Sequence, residues 1–80
     1  MRIDDFLSTV GVVKRRTVAK DLGVSGLLEA NGRKVKPAYL VRLGDIIRIK
    51  GSRPLAIEVL EIPERSVPKS ERDRYFKALD

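Results

Sequence analysis

Cysteine, histidine and tryptophan are all missing from this 80-residue chain, and two Phe and two Tyr make up its whole aromatic content. The missing cysteines exclude a disulfide framework, thiolate metal sites and a cysteine nucleophile. The missing histidines remove the commonest general base and the commonest zinc ligand. Carboxylates, Ser/Thr, Lys and Tyr remain, but not in a catalytic arrangement. Asp4 and Asp5 are adjacent rather than facing one another across a site, and Asp45 follows Gly44 in what reads as an ordinary turn. No phosphate-cradling Gly-rich motif or metal-ligand spacing occurs. The expectation is a protein without catalytic residues, metal, cofactor or small-molecule substrate. No apolar run approaches the roughly 18 residues of a membrane span, and acids at Asp4 and Asp5 do not suit a signal peptide. A soluble cytoplasmic protein with no membrane partner is expected. So few aromatics also leave no base-stacking platform of the single-strand-binding type.

Charge is abundant and unevenly placed. The formal net charge is +6. Residues 1–50 carry eleven Lys/Arg against five Asp/Glu, whereas residues 51–80 carry six of each. All the net positive charge therefore belongs to the first fifty residues, as a polyanionic partner would require. Its densest part is Lys14-Arg15-Arg16-Thr17-Val18-Ala19-Lys20-Asp21-Leu22. At about 100° per residue, Val18, Ala19 and Leu22 share an apolar arc and Arg16 and Lys20 form a cationic ridge one turn long. The segment reads as a short helix ending at Gly23.

Before it, Ile3, Phe6, Leu7 and Val10 repeat at i, i+3, i+4, i+7, the pattern of an amphipathic helix. Asp4 and Asp5 fall in its first turn, where the helix dipole favours acids, and Gly11 follows its end. The two helices are expected to pack through Phe6, Leu7, Val10, Val18, Ala19 and Leu22. Two helices with a short connection also invite comparison with helix-turn-helix DNA binders.

The period then changes from helical to extended. Residues 27–30 read as a strand and Asn31-Gly32 as a tight hairpin turn. Residues 33–36 would be the return strand, whose cations equally blunt a sheet edge. Residues 46–50 alternate with Ile47 and Ile49 facing inward, and residues 55–62 make a last strand. Pro63 and Pro68 frame a linker. Tyr75, Phe76 and Leu79 suggest a terminal helix that covers the sheet. The expected class is α+β: two short N-terminal helices on a small, bent antiparallel sheet, with a C-terminal helix. Residues 1–62 form the helix-and-sheet domain and residues 63–80 the linker and last helix. The starting Met and this closing helix lead us to expect a whole protein.

Taken in order, Arg2-Ile3-Asp4-x-Phe6-Leu7, Lys14-Arg15-Arg16-x-x-Ala19, Gly26, Asn31-Gly32, Lys36-Pro37, Val41 and Gly44-Asp45-x-Ile47 resemble the S4 RNA-binding domain family, over residues 1 to about 50. The resemblance implies the αL-type S4 fold and an RNA-binding function. In the small, nearly stand-alone members it implies work on the large ribosomal subunit, with contacts to 23S rRNA and peptidyl-tRNA during ribosome quality control. Positions matching the family's RNA-facing motif are Arg2, Lys14, Arg15, Arg16, Thr17 and Lys20, with Lys34 and Lys36 as additions. Asp4 is expected to orient a neighbouring Arg. Arg15 departs from the pattern, since many S4 domains have Ser there. Other members use S4 in ribosome assembly or attach it to RNA-modifying enzymes. A monomer bound to structured RNA is the expected state.

Overall fold

The computed structural model describes residues 1–79. Helix α1 spans Ile3–Thr9 and α2 spans Arg16–Val24; strands β1 to β5 are Leu28–Ala30, Arg33–Lys34, Ile46–Ile49, Leu55–Val59 and Phe76–Leu79. The five strands form one antiparallel sheet in the order β2-β1-β3-β4-β5.

The i, i+3, i+4, i+7 series of α1 is the centre of the core. Ile3, Phe6, Leu7 and Val10 are fully buried, against Leu28, Ile47, Ile57 and Val59 from the sheet. Burying each such side chain contributes roughly 1.5–3 kcal/mol, so a seven-residue helix too short to persist alone is held by its packing. The first N–H groups of a helix have no partner within it, and here the segment 37–39 provides them. The Ile3 amide donates to the Tyr39 carbonyl (2.7 Å) and the Asp4 amide to that of Pro37 (3.4 Å). The stretch between β2 and β3 is thereby laid across the start of α1.

The Asn31-Gly32 hairpin forms as its sequence demands. Asn31 and Gly32 both take positive φ (54° and 83°), the backbone of the turn that matches strand twist. Helix α2 differs from its expected form in two ways. It runs through Gly23 to Val24 rather than stopping there, and the glycine serves close packing instead: a Cβ at that position would meet Pro37 Cγ at 2.7 Å. Its buried face is accordingly Ala19 and Gly23, one turn apart, while Val18 is 45% exposed rather than part of the helical packing.

The C-terminal helix is a correction. Residues after Pro68 make a six-residue 3-10 helix, Lys69–Arg74, and the chain then becomes β5. Without that strand, β4 would be a sheet edge with a row of unpaired backbone groups. Pairing Ala56 with Leu79, Ile57 with Ala78, Glu58 with Lys77 and Val59 with Phe76 closes it. Tyr75 and Phe76 pack on the core from this position, so the spacing read as helical is satisfied by an extended segment. The expected strand 55–62 likewise ends at Val59 and is not the last. Asp80, the final residue of the segment read as helical, lies outside the described residues.

Candidate nucleic-acid interface

A buried carboxylate organises the basic end of the molecule. Asp4 is 1% exposed on α1, yet its neighbours are cations whose side chains are about half exposed, Arg2 at 43% and Arg16 at 53%. Arg2 grips it with two bonds, Nε to Oδ1 at 3.2 Å and Nη2 to Oδ2 at 3.1 Å. Arg16 Nε stands 3.8 Å from Oδ2, an ion-pair distance too long for a hydrogen bond. Oδ1 also accepts the Asp5 amide at 2.8 Å, satisfying one more orphan donor of α1. An Arg carries five N–H donors. Arg2 spends two on Asp4 and Arg16 none, so eight point elsewhere. One buried negative charge thus anchors Arg2, attracts Arg16 and leaves an excess of one positive charge.

Lys20 continues this ridge, one turn beyond Arg16 on α2 and exposed. Lys36 precedes Pro37, whose carbonyl receives the Asp4 amide. Lys34 and Lys36 line a hollow of about 470 Å³ with Gly23, Val24 and Pro37 at the end of α2. Arg2, Arg16, Lys20, Lys34 and Lys36 therefore flank the same side of the helical pair. Thr17, about 100° round the helix from Arg16, is exposed on the outer face. Lys14 is not with the others. It lies beside Val18 and Leu22, each about 200° from the ridge residue two places before it, on the opposite flank of α2. No ion pair involves Lys14, Arg15, Lys20, Lys34 or Lys36 among the described residues.

The start of α2 reverses the usual electrostatics of a helix. Its first turn has no acid, and its cap, Arg15, makes no side-chain hydrogen bond (φ −128°, ψ 141°). Lys14, Arg15 and Arg16 crowd the positive end of the dipole, where an anion would be favoured. Substituting Arg15 by Ser, whose hydroxyl can cap from that extended backbone, should stabilise the fold by about 0.5–1 kcal/mol and weaken RNA binding. Thermal melts and an RNA titration on one preparation check both directions.

A second carboxylate ties together the turn before Lys34 and the segment after Lys36. Asp45, 5% exposed, accepts from Tyr39 Oη (2.7 Å), the Arg42 amide (2.9 Å) and Asn31 Nδ2 (3.0 Å); Asn31 Oδ1 in turn accepts the Ile46 amide (3.0 Å). Burial acts to raise the Asp45 pKa, but these three donors outweigh it and hold the carboxyl below its ordinary 3.8. The same bond, with burial, lifts the Tyr39 phenol above 10.0. Read from sequence, Asp45 is only a turn residue; Asn31 fourteen positions earlier is the partner that spacing does not disclose. Arg53 and Lys50 share the Lys14 flank, a grouping at which only the turn in Lys50-Gly51-Ser52-Arg53 hints in the sequence.

Similarity to known proteins follows the same architecture. A "RQC P-site tRNA stabilizing factor" of Helicobacter pylori (strain J99) is 40% identical over 80 residues, covering 95% of this chain and 93% of that protein. The solution structure of the hypothetical protein HP1423 superposes with a TM-score of 0.84 at 34% identity, covering 100% of this chain and 98% of that one. A trimeric structure of Vibrio cholerae Heat Shock Protein 15 gives a TM-score of 0.88 over 99% of this chain and 81% of that one; at 22% identity it speaks to fold alone. Among described residues, no helix is long and apolar enough to cross a membrane. The S4 domain model matches residues 1–47, which include Asp4 with its two arginines, all of α2, the Asn-Gly hairpin and Asp45. With more than half its length matched, this chain belongs to the S4 domain family.

Proposed function

We propose that this chain is a non-enzymatic, monomeric RNA-binding protein of the bacterial cytoplasm that acts in ribosome quality control. It binds the large ribosomal subunit through 23S rRNA and peptidyl-tRNA, and holds the tRNA of a stalled complex in place. The contacts are made by Arg2, Arg16, Lys20, Lys34 and Lys36 on one flank of the helical pair, with Lys14, Arg15 and Thr17 at the start of α2. Residues 1–62 supply this surface and residues 63–79 serve the fold.

The observation that carries the reading is the Asp4-centred pair of guanidiniums: Arg2 is fixed by two bonds, Arg16 is drawn to the same carboxylate at 3.8 Å, both are about half exposed, and eight donors are unspent. A merely solvated face would not hold cations on a buried acid. Phosphates need such fixed donors, and folded RNA is recognised chiefly through its backbone and shape. The name of the Helicobacter relative, matched along nearly its full length, supports the choice of ribosome and tRNA.

Salt dependence tests it. Each phosphate neutralised on a single strand contributes about −0.7 to the slope of log affinity against log salt, so three to five contacts give a slope of about −2 to −4. Affinity for tRNA or a 23S rRNA fragment should fall accordingly between low and physiological salt. A flat response would remove the phosphate-binding model.

A further inference from the structure

On the flank of α2 away from Arg16 and Lys20, a groove of about 640 Å³ separates the helix from the turn joining β3 to β4. Its floor is aliphatic, with Val18, Leu22, Leu27 and Leu55 along it, and Val18 and Leu55 are 45% and 36% exposed. Its rim carries Lys14, Lys50 and Arg53. No acid lines it. Of the rim cations, Lys50 is paired with Glu29 at 2.6 Å, and among the described residues no ion pair involves Lys14 or Arg53.

We infer that this groove accepts one unpaired nucleotide of the bound RNA, its base lying on Val18, Leu22 and Leu55 and its phosphate held between Lys14 and Arg53. The inference rests on the RNA-binding reading above and deepens it. The volume falls within the ~300–1,000 Å³ range of small-ligand sites. The chemistry is that of a nucleotide: an apolar plate beside an anion. A paired helix offers this flank only sugar and phosphate, which gain nothing from an aliphatic floor, whereas unstacked bases of loops and bulges bring flat apolar faces. An acidic peptide could satisfy the same rim. The nucleotide is favoured by continuity, because Lys14 lies two residues from Arg16, so one RNA strand can pass over the start of α2 from the ridge to the groove. The helix would then be gripped from both flanks, the backbone on one and a base on the other.

The test compares two hairpin RNAs, one fully paired and one with a single bulged position occupied by a fluorescent purine analogue. Wild-type protein should bind the bulged RNA about five- to tenfold more tightly, from burial of the base's apolar face on the aliphatic floor, and change the analogue's emission. Val18→Asn and Arg53→Ala, both at exposed positions, should abolish the preference and the emission change while leaving affinity for the paired hairpin as it was. Equal affinity for the two RNAs with no emission change overturns the inference. So do substitutions without effect on either RNA, the outcome expected if the groove serves a protein. Wild-type protein that binds neither hairpin refutes the RNA-binding reading itself and the groove's role with it.

Discussion

Replacing Asp4 by Ala should weaken RNA binding about five- to tenfold, although it removes a negative charge from a protein that binds a polyanion. Charge counting predicts the opposite, since the formal net charge rises by one from +6. The difference lies in what the buried carboxylate does. It holds Arg2 through two bonds and keeps Arg16 within 3.8 Å, so the free protein already holds both guanidiniums near where phosphate would meet them. Without it, each long side chain must be ordered on binding, at about 0.5–1.5 kcal/mol apiece. Stability should fall as well, by about 2–3 kcal/mol, because the Asp5 amide loses its acceptor and two charge-assisted bonds vanish. Asp4→Asn separates the two effects. It retains an acceptor for the Asp5 amide and so most of the stability, but not the bidentate grip on Arg2. Tighter binding by either variant would show that Asp4 merely dilutes the positive surface.

The largest loss of stability is expected from Asp45→Ala, about 4 kcal/mol. Three donors from three parts of the chain converge on this carboxylate, and bonds to a charged acceptor are worth about 1.5–3 kcal/mol each before their mutual dependence is allowed for. A small domain with 5–15 kcal/mol in total loses a large share of it. The pH dependence has a definite sign. Asp45 is depressed in the folded state, so its contribution is full above the ordinary value of 3.8 and is lost as pH falls below it. Tyr39 is raised; its share is full below 10.0 and is lost as pH climbs beyond that. Urea midpoints of the wild type should therefore fall at both ends, and those of Asp45→Asn should be flatter on the acid side. An unchanged acid limb in Asp45→Asn would contradict this assignment.

What could be read from sequence was whatever local pattern decides. Ile3, Phe6, Leu7 and Val10 repeat at helical spacing and are all buried; Asn31-Gly32 needs positive φ and has it. Charge placement puts the candidate surface in the first fifty residues, and Asp4 orients Arg2 as the resemblance implies, while Arg16 beside the same carboxylate is not disclosed by spacing. The losses came where a distant partner overrides local preference. Gly23 reads as a stop until Pro37 is known to lie against it. Val18 belongs to an apolar arc on the wheel, but Ala19 and Gly23 take the close-packed face and leave it over an open groove. The tail reads as helix because nothing in residues 69–79 announces that β4 needs an edge partner. A helix-turn-helix was a fair reading of the first 24 residues alone; the sheet that follows makes the pair part of an S4 domain.

Co-sedimentation of Arg16→Ala with purified large ribosomal subunits, at fixed salt and alongside the wild type, bears most directly on the role given to the Asp4-held cations. Arg16 stays 53% exposed and makes no hydrogen bond to Asp4, so its loss should leave the melting temperature nearly unchanged and reduce binding about tenfold, the worth of one charge-assisted contact. Undiminished co-sedimentation of the folded variant would contradict the account.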